Sequence, residues 1–137
     1  MKSKQVLSIE QMKYLQELGL DTGDASMHWQ YLPTADAIIN GTDEIEKEPT
    51  LFVSQPNMKH EYPAYTLQDI LDKLPPIIDE VYWLTLEVMD KQKNEWKIKY
   101  ALINAEHECA SFSSEKLIDV AYEMLCWCIE KGYIKTN

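Results

Sequence analysis

The chain has 137 residues, 45% of them apolar and 26% charged, with a formal net charge of −10. This is the size and make-up of one globular domain that closes a core without disulfides or metal. All thirteen basic residues are Lys, and with no Arg fork and a net repulsion from polyanions the composition argues against direct nucleic-acid binding and against arginine-clamped nucleotides.

The predicted elements follow from periodicity and punctuation. Met1 to Leu7 carries charge but no apolar stretch suited to export, and no window approaches a membrane span, so a cytoplasmic protein with no membrane partner is expected. Ser8 stands three residues before Gln11 in capping-box spacing. Ile9, Met12, Leu15 and Leu18 then recur at helical intervals until Gly19, giving a helix over about 9–18. Asp21 to Asp24 reads as a turn. From Ala25 to Leu32, Met27, Trp29 and Tyr31 alternate with His28 and Gln30, which marks a half-buried strand ended by Pro33. Ala37-Ile38-Ile39 is expected as a short strand before the turn pair Asn40-Gly41. An acidic run from Asp43 to Glu48 reads as a loop, Leu51 to Val53 as a third strand, and Gln55 to Pro63 as irregular chain.

Thr66 opens a second helix over about 67–74, whose Leu67, Ile70, Leu71 and Leu74 share a face and which Pro75-Pro76 stops. The strongest pattern is a hairpin over about 81–89 and 95–103. Tyr82, Leu84, Leu86 and Val88 alternate with Trp83, Thr85, Glu87 and Met89. After a polar turn from Asp90 to Asn94, Trp96, Ile98, Tyr100 and Leu102 alternate with Glu95, Lys97, Lys99 and Ala101. Cys109 to Phe112 is a fainter strand. A final helix over about 114–131 starts near Ser113 or Ser114 and ends at Gly132, with Leu117, Ile118, Ala121, Met124, Leu125, Cys128 and Ile129 as its apolar stripe. Cys128 falls on that stripe and Cys126 on the wetter side as a partly exposed thiol. The expected fold is a single α+β domain, residues 1–137, with an antiparallel sheet around the central hairpin packed against two or three helices.

Chemistry-bearing motifs are sparse. No Walker loop, dinucleotide fingerprint, nucleophile elbow or H-E-x-x-H motif is present, and no cofactor is expected. His107 and Cys109, two apart on a strand, would share a face and offer nitrogen and sulfur to zinc if His28 or His60 supplied further ligands; three scattered histidines are otherwise ordinary. A Cys–His nucleophile pair from Cys109 or Cys126 would need a positive setting that this acidic chain does not favour. Asp79-Glu80 is a carboxylate pair of the kind that usually sits in water. Trp83 and Met89 fall on the hairpin face opposite Tyr82, Leu84 and Leu86, and if no helix covers that face they mark a contact surface.

One resemblance adds a setting. Leu7 to Met12 closing as Glu17 to Thr22, then Ala25 to Trp29, Pro63 to Pro75, Tyr82-Trp83-Leu84 and Ala121 to Tyr133 together resemble a family of small, uncharacterised acidic proteins of gut-bacterial prophages and mobile elements. The resemblance omits about residues 34–62, implies a bacterial or phage cytoplasm, and brings no catalytic residue. The leading expectation is a non-catalytic interaction module that meets a protein partner or self-associates. The alternatives are a small metal-binding or thiol-dependent enzyme using His107 and Cys109, and an acidic inhibitor of a nucleic-acid-binding protein.

Overall fold

The computed structural model describes residues 4–90, 92, 94–103 and 107–136. Met1 to Ser3 of the leading segment, and Lys91 and Lys93 of the polar turn, lie outside the described residues. Helix α1, Ile9–Glu17, carries the capping box in full: Ser8 Oγ accepts from the Gln11 amide, and Gln11 Oε1 accepts from the Ser8 amide. Met12 and Leu15 are its buried residues, and Gly19 leaves it with φ of 98°.

Strand β1, Met27–Gln30, is the middle of a three-stranded antiparallel sheet between β2, Thr50–Val53, and β3, Tyr62–Ala64. The stretch expected as irregular thus ends in a short strand despite Pro63. As an edge strand, β3 can carry a residue that lacks an N–H. Trp29 turns toward the body of the protein, where its Nε1–H donates to the Leu7 carbonyl at 3.1 Å.

The expected strand at Ala37-Ile38-Ile39 is instead helix α2, Ala35–Asn40. Thr34 Oγ1 accepts from the Ala37 amide at 3.0 Å, and Gly41 closes the helix in the left-handed region at φ 69°. Local capping decides the outcome because Ile38 and Ile39 remain exposed, so no sheet contact rewards their β-branched side chains.

Helix α3, Leu67–Lys73, repeats the capping box with Thr66 and Asp69. Beyond the two prolines, β4, Ile77–Ile78, begins a second, four-stranded antiparallel sheet with β5, Tyr82–Asp90, β6, Glu95–Leu102, and β7, Glu108–Ser114, in that order. The hairpin register sets Leu84 opposite Tyr100 and Leu86 opposite Ile98. Strand β7 extends through Ser114, so helix α4 is Leu117–Glu130 and does not start at Ser113 or Ser114. Pairing with Lys97 and Trp96 holds both serines in the sheet, and near the start of α4 Ser114 Oγ accepts from the Lys116 amide at 3.3 Å.

Helix α4 lies over β6 and β7, with α3 packed beside it, while α1 packs against β3. Ile98, Tyr100, Val120, Met124, Leu125 and Cys128 are shut off from water at this centre. Each large aliphatic chain buried there contributes about 1.5–3 kcal/mol. Tyr100 satisfies its buried hydroxyl by donating to the Pro75 carbonyl at 2.7 Å. Cys126 is buried, not partly exposed: Tyr122 hydrogen-bonds the thiol and Tyr14 of α1 lies over that side, where its hydroxyl reaches Glu130 at 3.0 Å. A helix wheel drawn for one covering sheet misses the second element that α1 brings. Lys4 and Gln11 both bond the Asp119 carboxylate, at 2.8 and 3.1 Å, and fasten the N-terminal region to the start of α4.

Candidate functional site

Two places combine exposed or unusual chemistry with defined geometry. The first is the solvent side of the four-stranded sheet together with its open edge. On the outward face Ile77, Trp83 and Ala101 stand in one cross-strand row. The next rows carry ions: Lys97 Nζ lies 2.6 Å from Glu108 Oε1, and Lys99 Nζ lies 3.3 Å from Glu87 and 3.8 Å from Glu108. The Lys97 hydrogen bond is the main reason the Glu108 carboxyl sits below its ordinary range. An apolar end and a paired-charge end thus share one face; at the apolar end Ala101 is buried, while Trp83 keeps 43% of its surface in water.

The edge runs along β5. Strand β4 pairs only with Tyr82 and Trp83, and the Leu84 amide donates to the Pro76 carbonyl at 2.9 Å. In an antiparallel ladder successive residues bond to opposite sides. The backbone groups of Leu86 and Val88 therefore point the same way as those of Leu84, where no further strand pairs with β5 among the described residues. Their side chains are also uncovered, Leu86 by 39%, Val88 by 48%, and neighbouring Met89 by 51%. Alternation alone places Leu86 and Val88 on the covered face. They stay in water because α4 lies over β6 and β7, to one side of β5.

The second place is a cavity of about 590 Å³ between the turn from Asp21 to Ala25 and the segment from Ser54 to His60. Behind it, His28 is buried on β1 between two rings. Phe52 of β2 lies 5.8 Å away, and His60 stacks at 3.7 Å with the ring planes within 10° of parallel. His28 Nδ1 also meets Ser54 Oγ at 3.0 Å. The Nε2 atom of His60 is buried and has no hydrogen-bond partner among the described residues. Desolvation holds the His28 imidazole below its ordinary value, and the nearby His60 adds to the effect. Asp24, which lines the cavity, belongs to a polar knot behind that wall. Tyr65 donates its hydroxyl to Asp24 Oδ1 at 2.8 Å, Lys73 pairs with the same carboxylate, and Asp69 accepts from Ser26 and from the Thr66 amide. Burial alone would raise the Asp24 carboxyl, but the Lys73 and Tyr65 hydrogen bonds win and lower it.

The residues expected to carry metal or thiol chemistry are dispersed. His107 is exposed against the Tyr82 ring at 5.9 Å, while its carbonyl accepts from the Leu102 amide. Cys109 is half-buried at a register shift in β7, so the strict alternation that would put it on the face of His107 is interrupted there. His28 belongs to the other sheet, and His60, on the segment before β3, stacks on it. Among the described residues no three His, Cys, Asp or Glu side chains gather in a way that would hold a metal ion. Burial pushes all three thiols up, Cys126 and Cys128 to about 11, which keeps them protonated and poorly nucleophilic near neutral pH. Asp79 and Glu80 turn the chain between β4 and β5 with φ of 48° and 66°, and Asp79 accepts from the Tyr133 hydroxyl at 2.7 Å. The acidic loop is tied back by a bridge between Pro33 and Ile45. Sequence reasoning missed the His28–His60 stack, since it depends on how the chain from Ser54 to Tyr62 folds over β1. Alternation did mark His28 as opposite Trp29, but nothing in it pairs His28 with His60.

No helix among the described residues is long and apolar enough to cross a membrane. No family model matches the sequence, and neither a curated protein nor a solved structure matches it.

Proposed function

We propose that the protein is a non-catalytic interaction module whose docking surface is the open edge of β5 with the adjoining outward face around Trp83 and Met89. One observation carries this reading: Leu86, Val88, Met89 and Trp83 expose apolar side chains along a strand whose outer backbone groups lack a strand partner among the described residues. An exposed apolar edge invites an added strand, because backbone hydrogen bonds supply affinity and alternate side-chain contacts supply selectivity. The partner is accordingly a protein that offers an extended segment. The segment resemblance to small prophage and mobile-element proteins fits a cytoplasmic, bacterial setting for such a module.

The test places a photoreactive benzoylphenylalanine at Met89 and irradiates cells expressing the chain. The proposal expects one discrete cross-linked product. Adding Leu86→Lys should abolish that product while the melting temperature of the purified protein moves by no more than about 3 °C. Light scattering on the isolated chain separates a second copy from another protein as the partner. A cross-link pattern indifferent to Leu86→Lys would reject this surface.

A further inference from the structure

The segment from Ser54 to Glu61 crosses the outer side of the three-stranded sheet as a strap. Its start is anchored by the Ser54 amide, which donates to the Ser26 carbonyl at 2.9 Å, and its end runs into β3. Between those anchors, Asn57 turns the chain at a φ of 66°, and Gln55 to Lys59 are exposed. The ring contact that pins it down is His60 on His28. The same strap forms one wall of the cavity.

We infer that the His28–His60 stack is a proton-sensitive latch, which holds this strap on the sheet at neutral pH and releases it, opening the cavity, when both rings become charged. Two imidazoles 3.7 Å apart and nearly parallel stack well when neutral. One proton between them is tolerated, because a cation over an aromatic face is attracted to it. Two like charges at that separation repel strongly in a partly buried site.

The surroundings offer the second charge no carboxylate partner among the described residues. On β2 the neighbour is Phe52, and on β3 the residue opposite His28 is Pro63. Ser54 supplies a hydroxyl from the strap, and only Gln30, on the same strand, favours the charged ring. Asp21, Asp24 and Lys59 line the cavity beside His60, yet no carboxylate bonds either ring among the described residues; Asp24 is occupied by Lys73 and Tyr65. The buried Nε2 of His60 meets no hydrogen-bond partner among the described residues, and burial together with the neighbouring His60 ring favours the neutral form of His28. The closed state therefore binds fewer protons than the open one. Stability of the closed strap is present above the ordinary imidazole value of about 6.5 and is lost as pH falls through the lowered value of His28.

Side-chain NMR of the whole chain between pH 8 and pH 5 tests the latch. The expected result is a ring-to-ring Overhauser contact between His28 and His60 at pH 7.5 that disappears with the later of the two protonations. The Asn57 to Lys59 amides should shift at that same midpoint, with the Tyr100 amide unchanged. His60→Phe keeps a stacking ring without a second charge and should hold the strap closed at pH 5. His60→Ala should give open-strap shifts already at pH 7.5. A contact that survives full protonation of both rings would overturn the inference. So would strap amides that shift in His60→Phe as they do in the wild type, or a Tyr100 amide that moves at the same midpoint.

Discussion

Replacing Tyr65 by Phe removes one oxygen from a residue whose side chain is completely shut off from water. That oxygen donates to Asp24 Oδ1 at 2.8 Å and lies 3.2 Å from the Asp21 carbonyl, so it joins the turn after α1 to the strand-to-helix junction at Tyr65. A hydrogen bond to a charged group contributes about 1.5–3 kcal/mol when its partner cannot find water. The Asp24 side chain keeps 59% of its surface exposed and retains Lys73, so solvent recovers part of the loss. The expected cost is about 1.5 kcal/mol by urea unfolding at pH 7, or a drop of about 5 °C in melting temperature. The cost also depends on pH in a fixed direction. The folded Asp24 carboxyl is lowered, so its contribution is fully present above the ordinary aspartate value of about 3.9 and is lost as pH falls through the lowered one. The gap between wild type and Tyr65→Phe should therefore narrow toward pH 3. A difference under about 0.5 kcal/mol at pH 7, or a gap that widens in acid, would refute the role given to this hydroxyl.

Further outcomes follow from the caps, the thiols and one glycine. Thr66→Ala removes half of the second capping box and should cost about 1 kcal/mol in urea unfolding, with Ser8→Ala similar at the first. The three thiols, all pushed up by burial, should react with a disulfide reagent at pH 7.5 at least about tenfold more slowly in the folded chain than in denaturant, with Cys128 slowest. Gly132→Ala meets no atom within 4 Å of the added carbon, so only the left-handed backbone at φ 82° resists it. A cost of about 1 kcal/mol is expected by urea unfolding, and a loss twice as large would point to a clash that the geometry lacks.

The parts of the fold legible in the sequence are those whose partners are local or whose pattern is long. Eight alternating residues on each arm specify the hairpin over 82–90 and 95–102, because a one-residue slip would turn the buried Ile98 and Tyr100 outward. Ser8 with Gln11 and Thr66 with Asp69 state their helix starts within a single turn. Helix α2 was hidden because Ile38-Ile39 suggests a strand, while the deciding signals are Thr34 and Gly41 on either side. The start of α4 was misplaced because Ser113 and Ser114 suit a helix cap equally well, and only their pairing with β6 assigns them to a strand.

The candidate sites divide in the same way. Alternation placed Trp83 and Met89 on the outward face. It could not show that α4 sits to one side and leaves Leu86 and Val88 in water, since the lateral position of a helix over a sheet is a property of the assembled core. The histidine stack needs His60 to be carried back across β1 by a segment with no regular pattern of its own, and no residue spacing encodes that return.

The open edge of β5 is tested most directly by residue-resolved amide exchange in the monomeric chain at pH 7. Thr85 and Glu87 should exchange slowly, bonded to β6, while Leu86 and Val88 exchange near the rate of an unstructured peptide, in strict alternation. Equal protection at all four amides would contradict the account, because that edge would then already be covered.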